Sequence, residues 1–104
     1  MKKLLGNAVS INMIDLPGKL DCKPVTQAEF VIGCADAESV WGHEQSAPLL
    51  AAMIGREVQY NRVSVHLDKG DVMYLAQYAG PRLPEGATEL PEGARFNWVV
   101  VTVE

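Results

Sequence analysis

The chain has 104 residues, 48% of them apolar, and a formal net charge of −4, which allows one buried core and no second one. That acidity argues against sequence-independent binding to double-stranded DNA, which draws on many Lys and Arg contacts to phosphate. A local cluster of arginines can still hold a small anion, and Arg62 and Arg82 are the candidates. Met1-Lys2-Lys3-Leu4-Leu5 imitates the start of a signal peptide, but Asn7, Ser10, Asn12 and Asp15 interrupt the apolar run. No stretch is long enough to cross a bilayer, so a soluble, cytoplasmic protein is expected, with no membrane partner. Cys22 and Cys34 are then free thiols assigned to packing.

In chain order, Lys3 to Ala8 reads as a first strand and Leu20 to Val25 as a second. Thr26 to Ala35 reads as a helix, with Thr26 and Glu29 three residues on as a capping box. Ser39 to Gly42 looks like a short buried strand leading to a helix that starts near Ser46. There Ser46 is the expected N-cap, Pro48 fits only the first turn, Leu49, Leu50, Met53 and Ile54 form an apolar face, and Gly55 is the stop. Arg62 to Leu67 and Val72 to Tyr78 are predicted to form a hairpin around Asp68-Lys69-Gly70-Asp71. The stretch from Gly80 to Gly93, rich in proline and glycine, is a loop. Arg95 to Val103 is too apolar for an edge strand facing water, so it is central or covered by a partner subunit. The pattern predicts one α/β or α+β domain over residues 1–104, with a mixed sheet of about five or six strands flanked by helices.

His43 stands one step ahead of the second helix start, where backbone N–H groups and the helix dipole favour an anion. A histidine there can give or take a proton at phosphorus, although a lone histidine before a helix is more often a packing residue. The apolar alternation of Val63, Val65 and Leu67 leaves His66 pointing outward and exposed. Tyr60, Tyr74 and Tyr78 are expected in the core or at a dimer contact. No group of His, Cys or carboxylate residues shows metal-ligand spacing, and no cofactor is expected.

Four segments together carry a family resemblance: Leu5-Gly6-Asn7-Ala8-Val9-Ser10-Ile11-Asn12-Met13, Gly42-His43, Gln59-Tyr60-Asn61-Arg62-Val63 and Pro81-Arg82-Leu83-Pro84-Glu85-Gly86. In order and spacing the chain resembles the viral anti-CRISPR ring nucleases, a family of small viral and bacterial proteins. The resemblance implies a homodimer that degrades cyclic tetra-adenylate, the second messenger of type III CRISPR defence, without a metal ion. It also implies action in a cytoplasm, that of the host cell if the protein is viral. His43 matches the family's catalytic histidine, and Glu85 a carboxylate that assists it. Arg82 matches a phosphate-binding residue, while Pro81 and Pro84 depart from the polar residues usual in that motif.

The implied chemistry needs no metal, because a ribose 2′-hydroxyl can attack the neighbouring phosphorus. His43 would protonate the departing 5′-oxygen, and the products would be linear oligoadenylates ending in a 2′,3′-cyclic phosphate. Asn7, Ser10 and Asn12 carry short polar side chains that can bond ribose, phosphate or adenine edges as readily as they hold a turn. Gln77, at the end of its strand, is a further candidate of the same kind. Two other readings stand beside this one: a protein that binds the ring without cutting it, and a dimeric scaffold or regulatory protein without nucleotide chemistry.

Overall fold

The computed structural model describes residues 1–84 and 86–104. Five strands form one mixed sheet among the described residues: β1 (Lys3–Gly6), β2 (Leu20–Pro24), β3 (Glu38–Ser39), β4 (Val72–Ala79) and β5 (Arg95–Val103), in the order β2-β5-β4-β1-β3. Strands β3, β1 and β4 run parallel, whereas β5 pairs antiparallel with both β4 and β2. The helices are α1 (Gln27–Gly33) and α2 (Ala47–Ile54). No helix among the described residues is long and apolar enough to cross a membrane.

Successive strand residues face opposite sides of the sheet, and each side has its own core. On the helix side, Leu5, Ala76 and Phe96 pack with Phe30 and Cys34 from α1 and its end, and with Leu49, Leu50 and Ile54 from α2. On the other side, Leu4, Met73, Leu75, Val101 and Val103 are covered by Ile14 and Leu67, which come from irregular segments rather than helices. The apolar β5 is central, lying between β2 and β4, as its composition requires. Pro24 ends β2 at an edge of the sheet, where a missing N–H costs least.

Local signals account for the helices. Thr26 accepts the Glu29 N–H and Glu29 accepts the Thr26 N–H, closing the predicted capping box. Gly55, at φ +70°, terminates α2 in the left-handed conformation that favours glycine. Ser46 precedes α2 but is not its side-chain cap. A 3₁₀ turn, Glu44–Ser46, comes first, Ser46 has helical angles, and its side chain makes no capping bond.

The predicted hairpin does not form. Both flanks of β4 are occupied, one by β1 and one by β5, so residues 62–67 have no free edge to join. That segment instead crosses the sheet face, with the Leu67 N–H donating to the Met13 carbonyl at 2.7 Å and Leu67 buried. Val63, expected to share Leu67's inner face, is exposed. The turn alone survives, with Gly70 at φ +89°. Strand β1 also stops at Gly6 rather than Ala8, and Cys22 lies exposed on β2 rather than packed. Cys34 is buried as expected, and that burial pushes its thiol above the ordinary value.

Asp71 ties this turn to the N-terminus. Its buried carboxylate accepts N–H bonds from Lys2 at 2.7 Å and Asp68 at 2.8 Å, with the Lys2 ammonium 3.4 Å away. Burial alone would raise this carboxyl's pKa, but the two N–H donors and the ammonium outweigh it and hold the value below the ordinary 3.8. A depressed folded value means that the stabilisation is complete above 3.8 and drains as the pH falls through the folded value. Asp71→Asn is therefore expected to lower stability by about 1–3 kcal/mol at neutral pH and to weaken the acid dependence. Urea titrations of both proteins from neutral pH down to acid check this, and superimposable stability curves would refute it.

Candidate functional site

Three segments meet where the parallel strands end. Asn7 follows β1, His43 follows β3 by a short loop, and Gln77 lies near the end of β4. The carboxyl ends of parallel strands are the usual place for a ligand crevice in an open α/β sheet. Asn7 binds the first two segments together, because its Oδ1 accepts the Gly42 N–H at 2.8 Å. Asn7 is the first residue beyond β1.

His43 is exposed and lines three clefts. The first, of about 560 Å³, is shared with Asn7, Ser46, Gln77, Tyr78 and Asn97. A second, of about 440 Å³, is shared with Asn7, Gly42 and Arg62. In the third, of about 360 Å³, His43 meets Gln45, Tyr78 and Arg82. Arg62 also lies against Gly42, its Cγ 3.6 Å from where a β-carbon would stand. The fold thus gathers Asn7, Arg62, Gln77 and Arg82 around one histidine. Ser10 and Asn12 are exposed beside and within a 3₁₀ turn, Ile11–Met13, and line none of the three clefts. Glu85 lies outside the described residues.

Below the imidazole is a buried polar junction. Trp41, 1% exposed, directs its indole N–H to the His43 carbonyl at 3.0 Å and to the Ser46 hydroxyl at 3.1 Å. The Ser46 oxygen is 2.7 Å from His43 Nδ1. The Nδ1 edge of the ring is therefore held from inside while the side chain remains exposed to the clefts.

Tyr78, Asn97 and Ser46 are site residues that the sequence reading missed. Asn97 pairs with Gln77 across β4 and β5, and both are exposed polar interruptions in apolar strands, which is the signal that marks them. Tyr78 packs edge-on against Phe96, as a core tyrosine would, yet it also lines two of the clefts and donates its hydroxyl to the Pro81 carbonyl. That bond anchors the loop bearing Arg82, and buried Leu83 anchors it again.

Folding also creates a cluster with no counterpart in the sequence spacing. Asp15, His66 and Asp68 meet at the surface, with His66 Nε2 3.6 Å from one carboxylate and 3.3 Å from the other. All three side chains are exposed, and the Lys2 ammonium stands 3.8 Å from Asp68. His66 is exposed as expected, and His43 takes no part in this group.

The fold has a close solved counterpart. B116 of Sulfolobus turreted icosahedral virus matches with a TM-score of 0.82 over 98% of this chain and 99% of its own, at 24% sequence identity. At that identity the likeness concerns the fold. A comparison with curated proteins finds no match. The family model for STIV B116-like proteins matches residues 3–94, and by that match the chain belongs to the STIV B116-like family.

Proposed function

We propose that this protein is a metal-independent ring nuclease that cleaves cyclic tetra-adenylate and so counters type III CRISPR signalling. The observation that carries the reading is the convergence on His43. Asn7, Arg62, Gln77 and Arg82, which come from distant parts of the chain, border the clefts that His43 lines. The motif resemblance supplies the substrate, and the family match over residues 3–94 is compatible with it.

In this mechanism a ribose 2′-oxygen attacks the adjacent phosphorus, the bond from phosphorus to the 5′-oxygen breaks, and His43 Nε2 delivers a proton to that oxygen. The nucleophile belongs to the substrate, so no metal-bound water is required. Arg62 and Arg82 bind phosphate, and Asn7, Ser10, Asn12 and Gln77 bind the nucleotide's polar edges. Glu85 assists His43. The site works in a homodimer, because a ring with two-fold symmetry meets identical groups only across an isologous interface, with two copies of His43 facing opposite linkages. Ser10 and Asn12, which line none of these clefts within one chain, are suited to such a composite site. The enzyme acts in the cytoplasm.

The test is to incubate the protein with cyclic tri-, tetra- and hexa-adenylate in excess chelator and separate the products. Cyclic tetra-adenylate is expected to yield linear oligoadenylates with a 2′,3′-cyclic phosphate. Activity that vanishes in chelator and returns with manganese or magnesium would overturn the mechanism, as would solvent oxygen in the first product. Light scattering at micromolar concentration is expected to give a dimer, and a monomer there would contradict the two-fold site.

A further inference from the structure

Ser46 is 3% exposed, so its hydroxyl must satisfy itself within the protein. A hydroxyl has one proton to donate and two lone pairs to accept with. Three neighbours are in reach: the Trp41 indole nitrogen at 3.1 Å, the His43 carbonyl at 3.3 Å and His43 Nδ1 at 2.7 Å. The indole N–H can only donate, which fills one lone pair, and the hydroxyl's proton has two acceptors open to it: Nδ1, and the carbonyl, which also receives the indole and Ser46 backbone N–H groups. A proton on Nδ1 is accepted by the hydroxyl, which then turns its own proton to the carbonyl, so the junction holds an Nδ1–H ring with every group paired. The usual reason for a serine before a helix, capping, does not apply, since Ser46 makes no such bond.

We propose that Ser46, set in place by Trp41, is a positioning residue that keeps a proton on His43 Nδ1 and leaves Nε2 as the nitrogen that exchanges a proton with the ligand. With both nitrogens protonated, Nε2 can donate while the Nδ1–H bond to Ser46 holds the ring. After transfer the neutral ring carries its proton on Nδ1, where the Ser46 oxygen accepts it, so the imidazole does not reorient between turnovers. The catalytic part of this inference rests on the reading of His43 as the general acid. The tautomer does not.

The experiment is therefore two-armed. Proton–nitrogen NMR of the ¹⁵N-histidine protein above the titration range reports which nitrogen is protonated, and the protein's two histidines are told apart with His66→Gln. Neutral His43 is expected as the Nδ1–H tautomer in the wild type and in Ser46→Thr, and to shift towards Nε2–H, the form favoured by free histidine, in Ser46→Ala. Trp41 keeps the His43 carbonyl as an acceptor in that variant, so its indole is not orphaned. In the second arm, Ser46→Ala is expected to lower kcat about 10- to 100-fold at little change in KM, the scale for losing a partner that orients a functional histidine, with Thr restoring it. Wild-type His43 found as Nε2–H, or a tautomer indifferent to Ser46→Ala, overturns the proposal. An Nδ1–H ring in a protein that cuts no ring leaves the positioning intact and refutes the nuclease reading instead.

Discussion

His43→Ala is expected to slow cleavage of cyclic tetra-adenylate by about 10²–10⁴-fold while leaving binding of the ring largely intact. The asymmetry follows from where the imidazole acts. In the ground state it is one exposed side chain among several polar groups that border the clefts. Its proton matters as negative charge gathers on the departing 5′-oxygen, and an interaction made only then appears in kcat rather than in affinity. Single-turnover cleavage and equilibrium binding, measured on the same preparations, separate the two effects. Cutting at the wild-type rate would remove His43 from the mechanism. A wild-type protein that binds the ring and never cuts it would be a messenger sponge.

Trp41→Ala carries the largest expected cost in stability, about 3–5 kcal/mol. The side chain is almost wholly enclosed, in the same core as Leu49, Leu50 and Phe30. A domain of this size has only about 5–15 kcal/mol to lose, so this one substitution removes at least about a fifth of it. Trp41→Phe isolates the other half of the residue's role, keeping most of the volume while removing the N–H that reaches His43 and Ser46. Its cost is expected nearer 1–3 kcal/mol. Urea midpoints at unchanged m-value measure both, and a loss below about 1 kcal/mol in the alanine variant would mean that the core collapses around the vacancy.

The elements legible in the sequence are those whose causes are local. Thr26 and Glu29 specify a helix start through bonds three residues apart, Gly55 specifies a stop, and the mainly apolar composition of β5 favours a central position. Residues 62–67 show the limit. Their alternation is the same whether the segment pairs in a ladder or lies across a sheet face, and only the non-local pairings of β4 decide between them. The site divides in the same way. His43, Asn7, Arg62 and Arg82 are marked by motif and Gln77 by its place at the end of a strand, whereas Tyr78 carries an aromatic signature that reads equally as core. Ser46 was misread in role because a serine ahead of Pro48 has the composition of a cap, and nothing in the local string reveals that His43 and Trp41 claim its hydroxyl first.

The strand order has a consequence in time. Strand β1 takes its long partner from residues 72–75, and among the described residues β2 pairs with residues 99–103 alone. A ribosome making this protein therefore releases β1 before its long partner exists, and β2 waits longer still for residues 99–103. Loop closure over such separations is slow. The residues around His43 are drawn from both sides of that closure, so the cleft comes into being only when the sheet does.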